Sequence, residues 1–241
     1  MNLIIDAGNT KVKVAVFKGD TLMELVAFDG ERLLLEVKKI LEKHPISYGI
    51  ISSVAAISDK KIEELHAILP ILVLSSETKV AFKNLYETPK TLGVDRIALV
   101  SSAIKKYPRK NVLIIDAGTC ITFDFVSNNH EYFGGAISPG IEMRYRALNT
   151  FTSKLPLLDK KHPDNFLGKS TEESINSGVV NGVLQEIEGV INQYKNEYGL
   201  LTIVLTGGDA NFLLKQLKSS IFANQNFVLE GLNEILILNK P

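Results

Sequence analysis

The sequence predicts an α/β fold built from two similar halves. One stretch occurs twice, as LIIDAGNTKVKVAVF at 3–17 and as VLIIDAGTCITFDFV at 112–126. Each copy has a run of branched apolar residues, a D-A-G turn and a second run of alternating pattern, which predicts two strands joined by a turn. One copy alone would fit an ordinary hairpin. Two near-identical copies in one chain call for a common explanation, namely a repeated domain.

The first half is predicted to have the order β-β-β-α-β-α-β. Three strands are expected near 2–6, 12–17 and 22–28, and the apolar stripe of 31–43 indicates a helix. The segment YGIISSV at 48–54 is typical of a short buried strand. A second helix is expected to follow Ser58, a possible N-cap, and to end at Pro70, before a strand at 71–75.

The stretch from 84 to 107 predicts a loop followed by a helix that begins near Asp95. Pro108 is expected to end this helix and to mark a boundary between domains 1–108 and 109–241. Read locally, Asp95 would only favour the helix dipole and Arg96 would be a solvated charge. The local sequence favours that structural interpretation over a catalytic one.

The second half restarts with the repeated strands. Gly134, Gly135 and Gly140 surround a further strand and open a helix, and 168–199 predicts a long helix with Ser170 and Glu173 at capping-box spacing. Its buried stripe is expected at Ile175, Val179, Val183, Ile187 and Ile191, while Gly178 and Gly182 would let another backbone approach closely. A later strand ends in the turn T-G-G-D-A at 206–210, followed by a helix and the apolar pieces FVLEGL and EILIL.

The composition predicts a soluble protein whose partners are small molecules. The chain has 241 residues, 45% of them hydrophobic, and Lys+Arg and Asp+Glu both number 27. With a formal net charge of zero, no global field favours nucleic acid or an acidic membrane. The single cysteine, Cys120, excludes an intramolecular disulfide framework, and no apolar run approaches the ~20 residues that span a bilayer. We therefore expect a cytoplasmic protein that binds neither nucleic acid nor membranes.

The two D-A-G turns suit a phosphate chain with its magnesium ion. Asp6 and Asp116 end their strands, and a carboxylate beside donors of a tight turn can hold the metal while the donors meet phosphate oxygens. Other phosphate and metal motifs fail. The segment Gly168-Lys169-Ser170 lacks the first glycine of a P-loop, since Pro163 stands there, and no G-x-G-x-x-G follows the first strand. The four histidines and Cys120 lack zinc-ligand spacing.

The joint order of these motifs resembles the superfamily of sugar kinases, Hsp70 chaperones and actin. Within it the chain resembles the type III pantothenate kinase family nearly end to end. The match covers IDAGNTKVK at 5–13, ISSV at 51–54, Y-x-x-P-x-x-L-G-V-D-R at 86–96, IDAGTCITFD at 115–124, GGAISPG at 134–140, GKST at 168–171, TGGDA and VLEGL. The resemblance implies duplicated actin-like (ribonuclease H-like) domains with an ATP cleft between them.

The resemblance also implies an activity and its residues. The family phosphorylates pantothenate to 4'-phosphopantothenate with ATP, the first step of coenzyme A biosynthesis. Asp95 would be the catalytic base, Asp6 would hold magnesium through water, and Asp116 would hold a monovalent cation, potassium or ammonium. The implied ATP-binding residues are Asp6, Ala7, Gly8, Asn9, Thr10, Lys11, Val12, Lys13 and Thr119. The implied pantothenate-binding residues are Tyr86, Gly93, Val94, Asp95, Arg96 and Thr171.

The family is also homodimeric, and the long helix after Thr171 is the expected contact. The sequence departs from the family pattern at Cys120 and Ile121, beside the expected cation position. An alternative is a non-catalytic, nucleotide-binding accessory transcription factor of the same family, against which the presence of both Asp95 and Arg96 argues. An Hsp70-like machine would need a further domain, and a kinase for another small alcohol would give Arg96 no carboxylate to face.

Overall fold

The computed structural model describes residues 1–8, 11–53 and 57–241. The chain forms two compact units. Unit 1 contains Met1–Arg109, Asn129–Phe133 and Asn226–Pro241, and unit 2 contains Lys110–Asn128 and Gly134–Gln225. These units differ from a linear division into 1–108 and 109–241 because the last helix of the chain packs its apolar residues within unit 1.

Unit 1 is a mixed sheet with the strand order β3-β2-β1-β4-β5. β1 pairs antiparallel with β2 and parallel with β4, so a crossover helix must join the hairpin to β4. The elements are β1 (Asn2–Ala7), β2 (Val12–Lys18), β3 (Thr21–Phe28), α1 (Leu33–Lys43), β4 (Tyr48–Ser53), α2 (Asp59–His66), β5 (Ile71–Val73), β6 (Lys83–Asn84) and α3 (Val94–Lys106). This order confirms the predicted β-β-β-α-β-α-β.

Some predicted boundaries in unit 1 differ from the structure. The expected helix at 31–43 begins with a 3-10 turn, Gly30–Arg32, before α1. α2 ends at His66, four residues before Pro70, and the Ser58 side chain makes no capping hydrogen bond. Val54, expected as the last residue of the fourth strand, lies outside the described residues. These are errors at the ends of elements, where side-chain patterns carry the least information.

Unit 2 repeats the strand order of unit 1 as β9-β8-β7-β10-β11. β7 again pairs antiparallel with β8 and parallel with β10. The first residues of β9, Glu131 and Tyr132, belong to unit 1 and pair with β6. The elements are β7 (Asn111–Ala117), β8 (Cys120–Val126), β9 (Glu131–Pro139), α4 (Ile141–Phe151), α5 (Thr171–Asn176), α6 (Gly182–Tyr198), β10 (Leu201–Thr206), α7 (Ala210–Leu214), β11 (Phe222–Ala223) and, in unit 1, α8 (Phe227–Asn239). The shared order confirms the predicted duplication.

The long helix predicted at 168–199 consists of α5, one π-helical stretch (Ser177–Asn181) and α6. The Ser170 hydroxyl accepts a hydrogen bond from the Glu173 N–H at 3.2 Å, and the Glu173 carboxylate accepts one from the Lys169 N–H at 2.7 Å. This is a capping arrangement in which the glutamate reaches one residue further back than in the usual box. The predicted stripe from Ile175 to Ile191 is buried, as expected.

The expectation for Gly178 and Gly182 is wrong within the described chain. A Cβ atom at either position would meet no atom within 4 Å. Both glycines lie on the exposed side of the helix, so no other backbone in this chain uses the space.

The tightest helix packing in unit 1 joins α3 and α8. A Cβ atom at Gly231 of α8 would lie 1.8 Å from the Ala98 carbonyl oxygen of α3. Only glycine at position 231 therefore allows the backbones of α3 and α8 to approach each other this closely. Because α3 is buried on nearly all sides from Arg96 to Ile104, α8 supplies much of the surface that encloses it.

We expect Gly231→Ala to lower the free energy of unfolding by about 1–3 kcal/mol or more, since an overpacked contact with backbone cannot relax by side-chain rotation. Gly189→Ala in α6 is the matched control. A Cβ atom there meets nothing within 4 Å, so the helix should gain up to about 1 kcal/mol. Urea unfolding of both variants provides the measurement. Equal stabilities for the two variants would contradict the packing described.

Candidate active site

The first D-A-G turn places a carboxylate opposite an ammonium group. Asp6 on β1 is directly paired with Lys13 on β2, and opposed residues of an antiparallel pair share one face of the sheet. The Gly8 N–H donates to the Lys11 carbonyl at 3.2 Å and so closes the turn. Asn9 and Thr10, both expected to bind ATP, lie outside the described residues.

The other expected ATP-binding residues of this hairpin differ in exposure. Ala7 and Val12 are opposite each other and are buried in the core of unit 1, so their side chains stabilise the sheet. Lys11 is exposed at the turn, and Lys13 is half-buried. The charged side chains and the turn backbone of this hairpin therefore lie together at one end of the sheet.

Asp95 lies in the first turn of α3. Its Oδ1 accepts a hydrogen bond from the Arg96 N–H at 2.8 Å. A Cβ atom at Gly93, just before the helix, would lie 2.5 Å from that oxygen, so a side chain there would displace the carboxylate. Gly93 and Val94 thus leave the space that Asp95 occupies, and both are themselves half-buried.

The charged groups of Asp6, Lys13 and Asp95 act on one another. Burial raises the pKa of Asp6 from 3.8 to about 6; the Lys13 ammonium lowers this pKa and the Asp95 carboxylate raises it. Because such effects fall off steeply with distance, these side chains lie within electrostatic reach. The structure therefore brings together three of the residues that the sequence singled out, from β1, β2 and α3.

Arg96 is a buried residue and not the solvated charge that its local sequence favours. It is 5% exposed, and its guanidinium lies over the Tyr86 ring, 5.5 Å from the ring centroid. Tyr86 in turn stacks on Tyr132, with 6.3 Å between the centroids. Aromatic faces attract guanidinium groups and hold their planes in one orientation. Tyr132 was missed by sequence reasoning, because no local signal connects it to a residue 46 positions earlier.

The second D-A-G turn is packed against two glycine turns of unit 2. A Cβ atom at Gly207 would lie 2.4 Å from Asp116 Oδ1 and 2.3 Å from the Ala117 carbonyl. One at Gly140 would lie 2.2 Å from the Gly118 carbonyl. The three turns, from β7, the start of α4 and the end of β10, therefore meet with their backbones in contact. Gly207 also has φ +93°, which glycine adopts without strain.

Thr119 and Thr171 are exposed residues of unit 2. The carbonyl of Thr119 accepts a hydrogen bond from the Gly140 N–H at 3.1 Å, so its backbone position is fixed by the glycine turn. Thr171 begins α5, directly after the Ser170 cap. Asp116 is half-buried and lies opposite Thr122, whose hydroxyl donates to Asp124 at 3.1 Å.

Among the described residues, no group of three or more His, Cys, Asp or Glu side chains could hold a metal ion by itself. The same described ranges contain no helix of the length and apolar character that a membrane crossing requires.

The duplicated strand order, with an aspartate next to the last residue of the first strand in each sheet, defines an actin-like fold. Solved structures show the same fold over nearly whole chains. A protein from Campylobacter jejuni titled as a Baf family transcriptional activator aligns with a TM-score of 0.65 at 20% identity, covering 98% of both chains. A glucokinase from an Antarctic psychrotroph aligns with a TM-score of 0.54 at 11% identity, covering 99% of both chains.

Sequence comparison identifies the particular family. The family model described as type III pantothenate kinase matches residues 2–193. The type III pantothenate kinase of Christiangramia forsetii is 48% identical over 241 residues, which is 100% of this chain and 99% of that protein. The chain belongs to the type III pantothenate kinase family.

The raised pKa of Asp6 makes folding stability depend on pH. A carboxyl group whose folded pKa lies above its unfolded value stabilises the fold fully below pH 3.8 and loses that contribution as the pH rises through about 6. Between these limits we expect the wild type to lose about 3 kcal/mol of unfolding free energy relative to Asp6→Asn, which does not titrate. Urea unfolding across this pH range, without nucleotide or magnesium, provides the measurement. If the unfolding free energies of the wild type and Asp6→Asn changed in parallel with pH, Asp6 would not be desolvated.

Proposed function

We propose that this protein transfers the γ-phosphoryl group of ATP to the terminal hydroxyl of pantothenate, giving 4'-phosphopantothenate for coenzyme A synthesis. The observation that carries the proposal is the juxtaposition of Asp6, Lys13 and Asp95 in a chain of the type III pantothenate kinase family. A phosphate-binding hairpin and a separate carboxylate at a helix start are the parts that a phosphoryl transfer to an alcohol requires.

Phosphoryl transfer depends mainly on positioning and on neutralising charge. The hairpin from Asp6 to Lys13 supplies backbone donors and two lysines for the phosphates, and Thr119 is a further proposed ATP-binding residue. Asp95 accepts the hydrogen bond of the substrate hydroxyl, aligns its oxygen for attack and takes its proton as the new bond forms. When bound at Asp6 through water, magnesium would neutralise charge on the phosphates.

The pantothenate carboxylate needs a cation that is not used by ATP. Arg96 is the next residue after the catalytic carboxylate, and its planar guanidinium can bind two carboxylate oxygens at once. Tyr86 supports that guanidinium through its ring face, and Tyr132 stacks on Tyr86. Gly93 and Val94 are the proposed neighbours of Asp95 in the pocket, and Thr171 is a further proposed pantothenate-binding residue.

A coupled ADP-release assay with pantothenate and a panel of small alcohols tests this function. We expect activity on pantothenate, and a loss of about 10²–10⁴-fold in kcat for Asp95→Asn, the range typical of a lost general base. Nucleotide affinity should not change, because Asp95 contacts the hydroxyl substrate. Asp29→Asn, an exposed carboxylate just after β3, is the matched control and should retain full turnover.

An inactive wild type that still binds ATP would instead favour the non-catalytic accessory transcription factor. The structural likeness to the Campylobacter jejuni protein, at 20% identity, shows a common fold only. Preference for another alcohol would leave the kinase chemistry in place but remove pantothenate as the substrate.

We further propose that Asp116 holds a monovalent cation, potassium or ammonium. The two D-A-G copies differ at the position opposite the aspartate, which is Lys13 in the first copy and Thr122 in the second. The first copy thus contains its own positive charge, whereas the second presents a hydroxyl oxygen beside the carboxylate. Oxygen ligands of this kind suit a bound cation, which would offset phosphate charge that magnesium leaves uncompensated.

Removing both potassium and ammonium should raise the Kd for ATP by about tenfold or more, since one charge contact near a protein surface contributes on the order of 1–4 kcal/mol. Titration calorimetry in sodium and potassium buffers of equal ionic strength provides the measurement. Asp116→Asn should bind ATP equally weakly in both buffers. A wild type that responds to neither ion would rule out the cation site.

We propose that the protein is a homodimer that uses the helix after Thr171. Gly178 and Gly182 form a smooth, exposed strip on that helix, with open space above each Cα. Large apolar side chains lie exposed in the same unit at the end of α4 and in the loop before α5, with Phe151 86%, Phe166 84% and Leu167 72% exposed. Exposed apolar side chains beside a strip of small residues are typical of a protein interface.

Gly182→Arg should convert the dimer to a monomer, because the long charged side chain fills the strip. Gly182→Ala is the matched control and should remain dimeric. A Cβ atom at position 182 has no other atom of the described chain within 4 Å, so both variants should fold. Light scattering after size-exclusion chromatography gives the mass. A dimeric Gly182→Arg variant would place the interface elsewhere.

The remaining proposals concern location and partners. We propose a cytoplasmic enzyme that binds neither membranes nor nucleic acid. The balanced charge and the single thiol support this proposal. Equal retention on heparin and on an uncharged matrix would agree with it, and salt-dependent retention on heparin alone would oppose it.

A further inference from the structure

A cavity of unit 1 lies at the opposite end of α3 from Asp95. Its volume is about 220 Å³. It is lined by Phe17, Asp20, Ser102, Lys105, Lys106, Glu230, Asn233 and Glu234, which come from the β2–β3 hairpin, α3 and α8. Ser102 follows Asp95 by seven residues, so about 10 Å of helix separates them. At roughly 30 Å³ per water molecule, the cavity has room for about seven waters or a ligand of similar size.

The floor of the cavity contains a buried hydroxyl group. Ser102 is 1% exposed, and its Oγ has no hydrogen-bonding partner among the described residues. The neighbouring Ser101 bonds the carbonyl four residues earlier, Ile97, at 3.0 Å. The corresponding carbonyl for Ser102 is that of Ala98, against which the Gly231 backbone packs. Because a buried hydroxyl without a partner destabilises the fold, its presence in a cavity wall indicates a partner that enters the cavity.

The rim of the cavity carries more negative than positive charge. Its carboxylates are those of Asp20, Glu230 and Glu234, and its ammonium groups are those of Lys105 and Lys106. Lys105 is shared by two carboxylates, Glu234 at 3.2 Å and Asp20 at 3.5 Å, while Lys106 pairs with Glu230 at 2.7 Å. One lysine facing two acids leaves room for a second cation at the Asp20 side. A ligand with an ammonium group is thus favoured over an anion.

The floor of the cavity also limits which chemical groups can join the two ends of such a ligand. The Phe17 ring is buried and offers apolar contact for a short carbon chain. The Asn233 amide is fixed in place, since it accepts from Asn2 at 2.8 Å and donates to the Gly19 carbonyl at 3.0 Å. The acidic rim favours an amine at one end of the ligand. The unpartnered Ser102 hydroxyl on the floor favours a hydroxyl group at the other end.

We propose that this cavity is a binding site for a small primary amine that carries a hydroxyl group, an amino alcohol. Its ammonium group binds the Asp20 carboxylate on the side away from Lys105, and its hydroxyl bonds Ser102 on the floor. The site belongs to unit 1 alone and does not rest on the proposed kinase activity. It is distinct from the expected pantothenate pocket, whose residues Tyr86 and Gly93–Arg96 precede or begin α3.

Titration of the full-length protein with 3-amino-1-propanol, monitored by amide chemical shifts in potassium buffer without ATP, tests the proposal. We expect shifts for Ser102 and Asn233 and saturable binding. Ser102→Ala should weaken binding about tenfold, as loss of one hydrogen bond of ordinary strength would. Ser101→Ala is the matched control, since its hydroxyl is bonded within the helix, and should bind as the wild type does.

One neutral probe and one anionic probe test the contribution of the ligand's ammonium group. 1,3-Propanediol keeps the hydroxyl and loses the ammonium group, and 3-hydroxypropionate reverses the charge. Both should bind at least tenfold more weakly than the amino alcohol, and Asp20→Asn should remove the difference between amine and diol. Binding of all three probes alike, shifts that avoid Ser102, or no binding would each overturn the proposal, given circular dichroism spectra that show folded variants.

Discussion

The buried carboxylate of Asp6 is the constraint on which the candidate site depends. The hairpin places it at the end of β1, where burial disfavours its charge, and where Lys13 offsets part of that penalty. Asp95 reaches the same region from α3 and adds a second negative charge. A site in which two carboxylates face one lysine is unfavourable for the protein alone. Its electrostatics would become more favourable with a cation beside Asp6, such as the magnesium ion proposed to bind there.

The two units contain two copies of one hairpin, which differ at the position opposite the aspartate. The strand orders of the two units are the same, and each aspartate is the residue before the last in the first strand of its sheet. The opposite residue is a lysine in one copy and a threonine in the other. One turn can therefore meet anionic phosphates with its own cation, and the other is better suited to bind an external one. The carboxylate proposed as the base belongs to neither copy, but to the helix after the first sheet.

The parts of the fold that are local in sequence were predictable. Alternating strands, the D-A-G turns and the stripe of the long helix follow from side-chain periodicity, and the structure confirms them. Contacts between distant residues were not predictable. Arg96 is buried beside Tyr86, and the stacking of Tyr86 on Tyr132 depends on a pairing of β6 with residues 48 positions later. The placement of α8 in unit 1 depends on the glycine contact at Gly231. The exposure of Gly178 and Gly182 was not predictable either, because small residues look the same in sequence whether they face a helix of the same chain or its surface.

The coupling of Asp6 and Asp95 in one site is tested most directly by a carboxyl titration of Asp6. The titration is followed by ¹³C NMR, in the wild type and in Asp95→Asn, without nucleotide or metal. Electrostatic coupling in one site predicts a pKa of about 6 in the wild type. It also predicts a lower pKa in the variant, because one repelling charge is gone. An ordinary pKa near 3.8 in both proteins would show that Asp6 is solvated and that the two carboxylates do not form one site.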